Sequence, residues 1–113
     1  MNDIANLYAK TLQTLGDILT AMTSPDWDAM MQTKTAEDRM NAMLTMLKVQ
    51  QARLTLGNAA LGEIVTELQE NEAALKKGIA QLKKSLDALD NVEKILKGVT
   101  AVLGVVAKIV TLV

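Results

Sequence analysis

The chain has 113 residues, half of them apolar, with no cysteine, no histidine and a net charge of −1. That length suits one domain and a single core. Disulfides, thiolate and imidazole metal sites, and Cys–His or Ser–His catalysis are all excluded by composition.

Tyr8 and Trp27 are the only aromatic residues, so the core is built from Leu, Ile, Val, Ala and seven Met. One proline and six glycines leave little material for turns, which predicts an all-α chain with few connections. The charge is uneven. Residues 1–39 carry −3, residues 40–72 carry −2 and residues 73–113 carry +4. The basic third is expected to pair with acidic segments of the same or another chain, with anionic lipid as the alternative. The start, Met1-Asn2-Asp3-Ile4, lacks the basic and apolar regions of a signal peptide. No Sec-dependent export is therefore expected: the default is cytoplasmic, with membrane association or another export route left open.

The expected organisation is a single helical domain over 1–113. Residues 3–22 read as an amphipathic helix with Ile4, Leu7, Tyr8, Leu12, Leu15, Ile18, Leu19 and Met22 on one stripe. A turn and short helix follow over about 23–34, with Ser24 and Pro25 at the N-cap and first helical position. Trp27, beside that turn, is expected to pack on the core rather than anchor a partner. Thr35 begins the next helix, with Asp38 at its third position.

The heptad region of about 36–89 organises the rest. Met40, Leu44, Leu47, Leu54, Leu61, Val65, Leu68, Leu75, Ile79, Leu82, Leu86 and Leu89 share one 4-3 register, interrupted by Gln51, Asn58 and Glu72. The register runs through Gly57 and Gly78 without a phase change, which favours one helix about 80 Å long. A hairpin broken near Gly57 is the competing expectation, because Gly57-Asn58 can end one helix and start another. Either way the region predicts an elongated bundle or coiled-coil-like packing. Met30, Met31, Met40, Met43 and Met46 form a methionine-rich group, which more often fills core space than binds a variable partner.

Asp90 and Glu93 suggest a capping box opening an apolar helix over about 91–113. Ile95, Leu96, Val99, Val102, Leu103, Val106, Ile109 and Val110 cover most of its circumference, and Lys94, Lys97 and Lys108 mark a polar strip. This helix can be a core element, an oligomer interface or a lipid-inserting segment. A simple span is disfavoured, because Lys97 and Lys108 lie only about 16 Å apart along a helix.

No phosphate-binding glycine loop is present, and Glu63, Glu67 and Glu70 have the spacing of a solvated helix face. Lys76, Lys77, Lys83 and Lys84 make only a modest basic patch, so nucleic-acid binding is not expected. Neither a catalytic residue nor a cofactor is expected. The leading expectation is a non-enzymatic interaction or assembly protein that self-associates through the 40–89 seam and the 92–113 helix. The alternative is a membrane-active protein using residues 92–113, and the third is a small helical inhibitor or adaptor of a larger protein.

Overall fold

A computed structural model describes residues 2–89 and 91–111. Six helices occupy them in order: α1 (Asn2–Met22), α2 (Pro25–Met31), α3 (Ala36–Asn58), α4 (Leu61–Glu70), α5 (Glu72–Ala88) and α6 (Val92–Val106). The all-α class is therefore as the composition implies. Among the described residues there is no strand.

Four helices form the bundle. Around its axis they run α1, α3, α6, α5 and back to α1, while α4 packs across α1 and α2 closes on its end. The molecule measures 45 × 27 × 18 Å, far shorter than a continuous 36–88 helix would be.

Each bundle helix contributes a stripe at helical spacing. α1 buries Ile4, Leu7, Leu15, Ile18 and Met22. Thr11 lies on the same stripe, and its buried hydroxyl donates to the Leu7 carbonyl at 2.7 Å, which removes the penalty of burying it. α5 buries Leu75, Ile79 and Leu82, and α6 buries Val92, Ile95, Val99, Val102, Leu103 and Val106. Trp27 is also buried, packed in the main core.

Among the described residues, three helix starts are capped by side chains. The Ser24 hydroxyl accepts from the Trp27 N–H at 3.2 Å, Thr35 from Asp38 at 3.1 Å, and the Asn91 amide oxygen from Lys94 at 2.9 Å. The α6 cap is thus Asn91; Asp90, the residue expected in that role, lies outside the described residues. The 91–113 helix is shorter than expected. Beyond Val106 the Lys108 and Ile109 N–H groups donate to carbonyls only three residues back, a tightened last turn in a β-branched segment of lower helix propensity.

The continuous 36–89 helix does not form. The chain turns at Ala59 and Ala60, where ψ is 136° and 126°, so a break falls near Gly57 as expected. The arms do not close into a hairpin: α3 packs chiefly on α1 and α6, while α4 lies against α1, and α5 against α1 and α6. The Tyr8 hydroxyl reaches across from α1 and donates to the Leu56 carbonyl at 2.8 Å, holding the end of α3. A second, milder break falls at Asn71 between α4 and α5. The chain then reverses after α5 at Leu89, which takes a left-handed φ of 45°.

Candidate interaction surface

The break at Ala59–Ala60 divides the 40–89 register between two environments. Leu68, Leu75, Ile79 and Leu82 lie inside the bundle, and Leu61, Val65, Leu86 and Leu89 are half-buried against it. Met40, Leu44, Leu47 and Leu54 point outward and are 55, 48, 51 and 66% exposed. The seam predicted as one surface is therefore two, and only its first part is free to meet a partner.

α3 explains why. Its inward face consists of Ala42, Val49, Ala52 and Leu56, all essentially buried. At about 100° per residue these lie roughly opposite Met40, Leu44, Leu47 and Leu54. Small side chains let α3 approach α1 and α6 closely, so the packing selects the face with less apolar bulk. The larger Leu and Met side chains are left in water. α3 is apolar on both sides.

Met43, also 55% exposed, widens the outward stripe, and Gln51 sits within it. Met43 and Met40 thus leave the core that the sequence assigned to them, while Met30, Met31 and Met46 pack against it as expected. The stripe spans about 21 Å along the helix and an arc of about 100°. Two hollows border it. One, of about 540 Å³ between α1 and α3, is lined by Leu19, Gln50, Arg53 and Leu54. The other, of about 200 Å³ between α2 and α3, is lined by Trp27, Met31, Met43 and Met46. A flat apolar strip beside two shallow hollows can receive side chains from another surface.

The charges frame the strip without interrupting it. Glu37 and Asp38 stand at the N-terminal end of α3, and Lys48 stands on the flank shared with Glu37. On the opposite flank Arg39 stands beside Met43, and the Arg53 guanidinium lies against Gly16 of α1.

The apolar C-terminal helix has another location. Ile95, Val99, Val102, Leu103, Val106 and Ile109 are buried, and Leu96 and Val110 pack against the core. Lys94, Lys97 and Lys108 are exposed. Presenting this helix to lipid or to another chain would require removing it from between α3 and α5. Among the described residues no helix is long and apolar enough to cross a membrane. Lys76 pairs with Glu72 on its own helix at 2.9 Å. Lys34 meets Glu93 at 2.6 Å, joining the segment before α3 to the first turn of α6, and this partner holds the Glu93 carboxyl below the ordinary glutamate value.

Among the described residues the other polar features are scattered. A cleft of about 430 Å³ between α1 and α5 mixes Lys10 and Lys83 with Asp17, Asp26 and Asp87, so it favours neither anions nor cations. Among the described residues no His, Cys, Asp or Glu cluster of three or more could hold a metal. Glu63 and Glu70 are exposed; one carboxylate oxygen of Glu67 is enclosed and unpaired. No family model, curated protein or solved structure matches the chain.

Proposed function

We propose that this chain is a non-enzymatic assembly protein whose docking surface is the outward face of α3 and whose partner is a second copy. One observation carries the reading: Met40, Met43, Leu44, Leu47 and Leu54 stand about half exposed or more on a single face of a folded bundle. A contiguous apolar patch of this kind on a small helical protein marks a contact surface.

The uninterrupted apolar character of the strip favours a second copy, which covers it with the same strip. An antiparallel pairing about a two-fold axis stacks the Leu44–Leu47 region on itself and buries the strip on both sides. It also runs Glu37 of each copy along the flank that carries Lys48 in the other. The exposed ion pairs contribute orientation more than affinity, since each is worth about 0–1 kcal/mol.

Sedimentation or size exclusion with light scattering across a concentration series tests this. Wild type is expected to dimerise or assemble further, and Leu47→Glu to remain a monomer with an unchanged melting temperature. A wild-type chain that stays monomeric at high concentration overturns the reading. A wild-type monomer that floats with vesicles, with flotation lost in Leu47→Glu, reassigns the strip to a lipid surface.

A further inference from the structure

The sequence holds one heptad phase from Met40 to Leu89, yet the folded chain breaks that phase at two joints. Those joints differ from every other described helix start in the molecule. α2, α3 and α6 open on Ser24, Thr35 and Asn91, each with its side chain hydrogen-bonded to the helix it begins. α4 opens on Ala60 and α5 on Asn71, and neither makes a side-chain cap.

The joint at 59–60 is made of two alanines, the residue type with the highest helix propensity. Only their extended ψ values separate α3 from α4. At Asn71 part of the helical ladder persists. The Asn71 N–H donates to the Glu67 carbonyl at 3.1 Å, and the Leu75 N–H donates to the Asn71 carbonyl at 2.9 Å. Gly57-Asn58 permit the first break but the shared heptad phase does not require either one; tertiary packing holds both joints and the Tyr8 hydroxyl holds the first.

We propose that the 59–60 and 71 joints are hinges, and that in an assembled state residues 36–88 straighten into one helix about 80 Å long. Straightening brings Met40, Leu44, Leu47 and Leu54 into line with Leu68, Leu75 and Leu82 on one seam. The occupant of that seam is the same seam of further copies. The compact bundle buries the second part of the seam and α6 at once, so opening exposes both and proceeds only where other copies cover them. Gln51 and Asn58, solvated in the compact form, then fall at core positions of the seam, where polar groups fix register and partner number. The inference rests on the reading that the chain self-associates, and it adds the conformation in which it does so.

Ala60→Pro separates the two states. In the compact form Ala60 has φ −71°, and its N–H makes no hydrogen bond among the described residues. Ala59 before it is extended, the conformation proline requires of its predecessor. The substitution is therefore compatible with the bundle, while in a continuous helix the ring would clash with the Leu56 carbonyl and remove a hydrogen bond. The chain has no cysteine, so spin labels at Asn41→Cys and Lys84→Cys are unambiguous. These positions stand about 65 Å apart on a straight helix, against a longest dimension of 45 Å for the bundle.

Pulsed dipolar spectroscopy on labelled chains diluted into unlabelled protein is expected to give a distance near 65 Å in the assembled fraction. Ala60→Pro is expected to keep or raise the melting temperature and to lose that long distance. Assembly with only short distances, or the long distance persisting in Ala60→Pro, overturns the hinge while leaving self-association through α3 standing. Absence of any assembly in wild type overturns both.

Discussion

The Tyr8 hydroxyl donates to the Leu56 carbonyl at 2.8 Å, linking residues 48 apart in the chain. Gly57 and Ala59 carbonyls lie at 3.4 and 3.3 Å from the same oxygen. In a continuous helix the Leu56 carbonyl would receive the N–H of residue 60; at the turn it accepts the Ala59 N–H at 3.2 Å and the phenol as a second donor. Tyr8→Phe keeps the ring and removes this donor. It is expected to lower stability by about 1 kcal/mol, measured by urea denaturation. It is also expected to raise the assembled fraction, opposite in sense to Ala60→Pro.

Leu75 is fully buried where α5 meets the core. Leu75→Ala is expected to cost about 2–5 kcal/mol through lost transfer energy and the cavity left behind. The denaturation midpoint checks it. The same change at exposed Leu47 is expected to move stability by less than about 0.5 kcal/mol, since that side chain is half in water already.

Gly98 and Gly104 both lie within α6 but respond differently. A methyl added at Gly104 meets nothing within 4 Å, so Gly104→Ala is expected to stabilise by about 0.5–1 kcal/mol through chain entropy and propensity. A methyl at Gly98 would come within 3.2 Å of Leu82 Cδ1, so Gly98→Ala is expected to lose much of that gain. Paired thermal melts read the difference.

Glu93 titrates below the ordinary glutamate value because Lys34 bonds its carboxylate. A depressed folded-state value means the contribution is fully present above the ordinary value and disappears as pH falls through the depressed one. Wild type is expected to lose more stability than Glu93→Gln across that acidic window, with the two converging at its lower end. The group is exposed, so the separation is small and shrinks in salt.

Much of the bundle was legible because local and tertiary signals agree. Ser24 and Thr35 cap the helices they were expected to cap, and Val92, Ile95, Val99, Val102 and Val106 repeat at the interval that faces a core. The Ala59–Ala60 turn was not legible as a particular pair of residues, since alanine signals helix and the phase passes through it unchanged. The orientation of α3 was hidden for a different reason. Leu44 and Leu47 outweigh Ala42 and Ala52 in hydrophobicity, yet close approach to α1 and α6 rewards the smaller pair. Periodicity finds an apolar face but does not say which of two faces the neighbours can reach. The surface strip is what remains from that choice.

The exposed thioethers of Met40 and Met43 have a chemical consequence. Peroxide reaching the folded protein meets these sulfurs before that of Met22, which is only 4% exposed. Their conversion to sulfoxides would place polar groups on the strip while leaving the interior intact. Contact between copies would then weaken under oxidising conditions and recover on enzymatic reduction, without the protomer unfolding.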